Sequence, residues 1–82
     1  MHVEHLVGMA NDIANFFDAE LGPEAAPQAI ATHLARYWDP RMRRAILQHL
    51  ATGGAGLLPS ALEALQSLPP VKPVPERLSA AG

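Results

Sequence analysis

Near the N-terminus apolar residues recur with the period of a helix. Leu6, Ala10, Ile13 and Phe17 fall at i, i+4, i+7 and i+11, which is one face of a helix running roughly from Val3 to Leu21. Asn11, Asp12, Asn15 and Asp18 take much of the opposite side, and Val7 and Phe16 widen the apolar stripe beyond what one neighbouring helix needs. Leu21-Gly22-Pro23 is a stop, because glycine suits a left-handed position after a helix and proline cannot continue one.

Proline is tolerated only in a first helical turn, so a second helix begins between Pro23 and Pro27 and runs to about Tyr37. Ala26, Ile30 and Leu34, followed by Tyr37 or Trp38, make its apolar face. Asp39-Pro40 breaks it and starts a third helix at once, with Asp39 as N-cap and Pro40 as first residue. Met42, Ile46, His49 and Leu50 form the third seam, with Leu47 close by, and Thr52-Gly53-Gly54-Ala55-Gly56 ends it. A short fourth helix is predicted from about Pro59 to Leu68 on the seam Leu58, Leu62 and Leu65. Beyond it Pro69-Pro70-Val71-Lys72-Pro73-Val74-Pro75 reads as extended, polyproline-type chain.

The expectation is an all-α protein: a small bundle of three to four short helices over residues 1–68, then an extended or mobile proline-rich C-terminal tail over 69–82. Composition agrees with this. Alanine and leucine dominate the 49% of apolar residues, while the β-branched and aromatic residues that favour sheet are few. A chain of 82 residues has a small core and is marginally stable by itself. It has no cysteine, so disulfides, thiolate-bound zinc and iron–sulfur clusters are excluded as remedies, and a partner surface is the remedy left. No apolar run approaches the roughly 18–20 residues that span a bilayer. The opening Met1-His2-Val3-Glu4-His5 lacks the features of a signal peptide, so a cytoplasmic, soluble protein without a membrane is expected.

The net charge of −2 is uninformative, but its distribution is not. Residues 1–35 carry five acids and no lysine or arginine, and the next nine residues hold Arg36, Arg41, Arg43 and Arg44. His2, His5, His33 and His49 lack the convergent partners of a metal site. No serine sits in a nucleophile elbow, and the glycine turn has neither a preceding strand nor a phosphate-loop pattern. No catalytic, cofactor-binding or metal-binding residue is therefore assigned.

The constellation that stands out is Arg36-Tyr37-Trp38-Asp39-Pro40-Arg41-Met42-Arg43-Arg44. Arginines in the first turn of a helix oppose its dipole, so another requirement places them there. Tryptophan, tyrosine and arginine are enriched where partners anchor one another, which makes Tyr37, Trp38, Arg41, Met42 and Arg43 the candidate partner-binding residues. The bland alternatives are surface arginines with Asp39 pairing one of them, and a core position for Trp38. A nucleic-acid-binding regulator is a further alternative, but the later exposed positions of the third helix, Gln48 and Thr52, are neutral and the rest of the chain is acidic.

Several strings resemble the delta subunit family of molybdenum-containing, NAD-dependent formate dehydrogenases. Met9-Ala10-Asn11-Asp12-Ile13-Ala14-Asn15-Phe16-Phe17 resembles its opening, and Ile30-Ala31-Thr32-His33-Leu34 follows at its spacing. Tyr37-Trp38-Asp39-Pro40-Arg41-Met42-Arg43 is similar to its signature, with Tyr37 where phenylalanine is more usual, and Gly53-Gly54-Ala55-Gly56-Leu57 is similar to its glycine turn. The likeness covers residues 6–68 or thereabouts, and its specific element is Trp-Asp-Pro-Arg-Met-Arg. It implies a non-catalytic subunit, without a cofactor of its own, of a cytoplasmic complex that oxidises formate to carbon dioxide and reduces NAD⁺. The alpha subunit would hold molybdenum bis-pyranopterin guanine dinucleotide and iron–sulfur clusters, and beta and gamma subunits the FMN and further clusters. Trp38, Arg41, Met42 and Arg43 would then anchor the chain to alpha. A transient assembly chaperone of the large subunit is the alternative within the same resemblance.

Overall fold

The computed structural model describes residues 2–69, and these form four helices, α1 (Val3–Leu21), α2 (Ala26–Tyr37), α3 (Pro40–Ala51) and α4 (Pro59–Ser67), with no strand among them. The proline-rich tail expected after Leu68 lies, from residue 70 onward, outside the described residues. None of the four helices is long and apolar enough to cross a membrane.

Local chemistry sets the helix ends. Gly22 closes α1 with φ +84° and ψ 162°, so it is not in the expected left-handed helical conformation. It occupies an extended region that essentially only glycine visits, which turns the chain sharply into Pro23. Asp39 caps α3 as expected: its Oδ1 accepts the Met42 backbone N–H at 2.9 Å, and Pro40 opens the helix. At the far end of α3, Gly54 N–H donates to His49 O at 2.9 Å and Gly53 N–H to Leu50 O at 3.0 Å. This is the paired bonding of a Schellman motif. Gly54 has φ +67°, and a Cβ there would lie 2.6 Å from Leu62 Cδ2, so both backbone and packing call for glycine.

The helices do not pack in simple sequence order. α2 lies against α4 and α1, α3 lies against α1 and α4, and the consecutive α2 and α3 barely touch. The core is one cluster that includes Leu6, Ala10, Ile30, Leu34, Trp38, Ile46 and Leu65. On α1 the fully buried stripe is Leu6, Ala10 and Ala14, while Ile13 and Phe17 are half-buried, so the core face is rotated from the one the periodicity suggested. The cause is the fourth helix, which covers the side of α1 that carries Asn11 and Asp18. Those two were expected to face outward. Instead Asn11 binds the loop that leads into α4, and the Asp18 carboxylate accepts a hydrogen bond from Ser60 Oγ at 2.8 Å. α4 lacks a side-chain cap of its own, and Asp18 supplies a negative group near its first turn.

The seam of α4 is shifted as well. Ala61, Ala64, Leu65 and Leu68 are buried, whereas Leu58 and Leu62 of the expected seam are half-buried. α4 packs on α2 with Ala61 and Ala64 fully buried, and Leu62 is left to cover the Gly54 turn. On α3 only Ile46 is fully buried, with Met42, Leu47 and Leu50 packed at the margin of the core.

Gly8 is the one interior helical position where glycine has no visible purpose. It is exposed within α1, and a Cβ there would meet nothing within 4 Å. Gly8→Ala is expected to stabilise the domain by about 0.5–1 kcal/mol, through reduced freedom of the unfolded chain and better helix propensity. Thermal unfolding followed by helical circular dichroism would show a midpoint several degrees higher. An unchanged or lower midpoint would mean that Gly8 serves a purpose in the fold.

Candidate functional site

The segment from Arg36 to Arg44 divides into core, junction and surface. Trp38 is 5% exposed and belongs to the core cluster, so its ring is not available as the surface anchor the sequence suggested. The backbone explains this. Trp38 leaves the helix with φ −87° and ψ 136°, and the residue before a proline is held extended too. This two-residue bend turns the indole inward and leaves Tyr37, the last helical residue, 70% exposed.

Arg43 is half-buried and donates from Nε to the Trp38 carbonyl oxygen at 3.1 Å. It ties the first turn of α3 to the first residue of the bend, and its placement at the wrong end of the helix dipole has a structural reason. Asp39 Oδ1 accepts the Met42 backbone N–H. Met42 is half-buried against the core. Of the five candidate residues, Tyr37 and Arg41 are exposed, joined on the same stretch by exposed Arg36 and Arg44.

A second surface feature comes from two helices together. Phe16 and Phe17 on α1 meet edge to face with centroids 5.1 Å apart. Phe17 meets His33 of α2 edge to face at 6.1 Å, and His33 meets Tyr37 at 4.8 Å. Four rings thus cross from α1 to α2, ending in Phe16 (58% exposed) and Tyr37. Three of the four Phe, Tyr and Trp residues of the protein lie on this strip and only Trp38 lies in the core. A hollow of about 450 Å³ opens on the α2 side, lined by Phe17, Ala25, Ala29, Thr32, Arg36 and Tyr37 among others. A smaller one of about 290 Å³ opens on the α1 side beside Asp12, Ile13, Phe16, Phe17 and His33. The sequence held a partial signal for the strip, namely a Phe-Phe pair of which a helix can turn only one toward its core.

Of the other histidines, His49 is occupied locally. His49 Nε2 lies 2.8 Å from Ala55 O; a carbonyl oxygen can only accept, so that nitrogen carries the proton and closes the turn after α3. His2 and His5 are exposed at the start of α1, and among the described residues no three His, Asp or Glu side chains converge as a metal site would require.

Residues 5–65 match the family described as the NADH-dependent formate dehydrogenase delta subunit, FdsD. The chain belongs to that family. The match takes in α1, α2, α3 and most of α4, together with the Trp38–Arg43 junction and the glycine turn. No match was found among curated proteins or among solved structures. The delta subunit family places the chain within a multi-subunit formate dehydrogenase.

Proposed function

We propose that this delta-family chain is a non-catalytic accessory subunit that docks on, and stabilises or helps assemble, a cytoplasmic NAD-dependent molybdenum formate dehydrogenase. Its direct partner is the alpha subunit, within a complex that also contains beta and gamma. The chain carries no cofactor; the molybdenum bis-pyranopterin guanine dinucleotide, the iron–sulfur clusters and the FMN reside on those partners. The observation that carries this reading is the family match over most of the helical region. It is supported by the physical character of the surface, where exposed and half-exposed aromatic rings lie beside Arg36 in a domain small enough to gain stability from a bound partner. In this reading Tyr37 and Arg41, both exposed, are the candidate residues that touch alpha directly. Arg43, Met42 and Trp38 hold the junction that presents them.

The test is purification of the tagged chain from its native cells, with the subunit ratio and formate-dependent NAD⁺ reduction measured in the same fraction. Constant stoichiometry with the flavin and iron–sulfur subunits in an active complex is the expected result. Recovery with only an inactive large subunit would make the chain an assembly factor, and recovery with none of them would overturn the proposal.

A further inference from the structure

We infer that the ring strip Phe16–Phe17–His33–Tyr37, together with the hollow beside it on α2, is the surface that receives the neighbouring subunit, and that its occupant is an amphipathic helix bearing a carboxylate for Arg36. This rests on the accessory-subunit reading and goes beyond it by naming the surface and the chemistry of what it binds.

The first ground is where the aromatics went. A small domain gains most from burying its largest apolar side chains, so phenylalanine and tyrosine left outside the core call for another reason. Here leucines, isoleucines and Trp38 share the interior with alanines at 10, 14, 26, 61 and 64, and Phe16 and Tyr37 stand 58% and 70% exposed. They are joined through Phe17 and His33 into one continuous surface. Aromatic rings with few rotatable bonds anchor interfaces at small entropic cost, and they cluster with arginine at the centres of those interfaces.

The second ground is shape. The larger hollow is lined by Ala25, Ala29 and Thr32, spaced i, i+4 and i+7 from the N-cap of α2, together with Gln28 and the rings of Phe17, His33 and Tyr37. Small residues in a row along a helix, bordered by large ones, form a groove into which the side-chain ridge of another helix fits.

The third ground is charge. Among the described residues Arg36 is the one lysine or arginine that lines the α2 hollow, and it is the chain neighbour of Tyr37. Asp12 lines the smaller hollow on α1, across the ring strip. A complementary helix therefore lays its apolar ridge over the rings, an acid over Arg36 and a neutral or basic residue toward Asp12. A carboxylate paired with a guanidinium gives a directional, bidentate contact that fixes the register of such a helix.

The experiment uses the full-length chain and the complex of the remaining formate dehydrogenase subunits, with affinity measured by titration and the fold of each variant checked by its thermal midpoint. Phe16→Ala with Tyr37→Ala is expected to weaken association at least tenfold with the midpoint nearly unchanged, because both side chains are exposed in the free protein. Arg36→Glu should weaken it more than Arg36→Lys, and Arg44→Ala should leave it within twofold. If the native chain binds and the double variant and Arg36→Glu bind as well as it does, this surface is not the docking site and the inference fails alone. If the native chain does not bind at all, the accessory-subunit reading fails with it. If sedimentation finds a dimer that the double variant dissolves while binding to the other subunits is untouched, the occupant is a second copy and the inference is overturned.

Discussion

Trp38→Ala is expected to remove about 3–5 kcal/mol of stability, the range for deleting a buried aromatic side chain. A domain of this size has roughly 4–12 kcal/mol in all. The variant should therefore be partly unfolded at 37 °C, with a thermal midpoint lower by roughly 15 °C or more. The position gives the loss its reason. Trp38 is the largest side chain in the core and sits where α2 and α3 part company with little direct contact between them. Without the indole, the bend is left to the Asp39 cap, the Arg43–Trp38 carbonyl bond and the backbone bonds from Trp38 N–H to Leu34 O and from Arg43 N–H to Asp39 O. Trp38→Phe should cost under half as much, since a ring still fills most of the space. Urea denaturation of the three proteins is the measurement, and a Trp38→Ala variant within 1 kcal/mol of the parent would show that the indole does not hold the core. The result also governs how binding data are read. Lost co-purification of Trp38→Ala would reflect an unfolded chain, whereas the same loss in Arg41→Ala, at an exposed position, would reflect a contact.

The helix ends were legible because their causes are local. Gly22-Pro23, Asp39-Pro40 and the glycine turn each determine a few φ, ψ pairs without help from the rest of the molecule, and the observed limits of α1 and α3 follow them. The faces were less legible because a face is defined by its neighbours. Nothing in α1 alone says that α4 will lie over Asn11, Ala14 and Asp18. Nor does α4 alone reveal that Ala61 and Ala64, not Leu58 and Leu62, will carry the contact with the rest of the core. The choice between Tyr37 and Trp38 hinged on one backbone conformation, extended at Trp38, that reverses which of two adjacent aromatics points inward.

The candidate site divides in the same way. The Trp-Asp-Pro-Arg-Met-Arg string is dense in residues that anchor partners, but much of its chemistry is turned inward. Trp38 packs, Asp39 caps and Arg43 bonds to the bend. The ring strip could not be seen as a unit along the chain. Phe16 and Phe17 lie on one helix, His33 and Tyr37 on another, and only the packing of α1 on α2 joins them.

Asn11→Ala is expected to cost about 2–3 kcal/mol, although the residue looks like one more polar position on a helix. Its amide nitrogen donates to Gly56 O at 2.8 Å, and its carbonyl oxygen accepts the Leu58 N–H at 2.9 Å. One side chain thus holds both sides of the segment that leads from the glycine turn into α4. Removing it leaves the half-buried Leu58 donor without its partner, and the desolvation of that donor adds to the net value of the lost bonds. Asn11→Asp keeps an acceptor for Leu58 and loses the donor to Gly56, so its loss should fall between those of the parent and the alanine variant. Urea denaturation gives the ordering, and hydrogen exchange at the Leu58 amide identifies the cause. Exchange there should quicken more in Asn11→Ala than at amides in the middle of α2. If stability changes by less than 0.5 kcal/mol and Leu58 stays protected, α4 is held by its apolar face on α2 alone. If both change as expected, a side chain 47 residues away sets where the last helix begins. In that case the position of α4 depends on α1, the same helix that contributes Phe16 and Phe17 to the exposed strip.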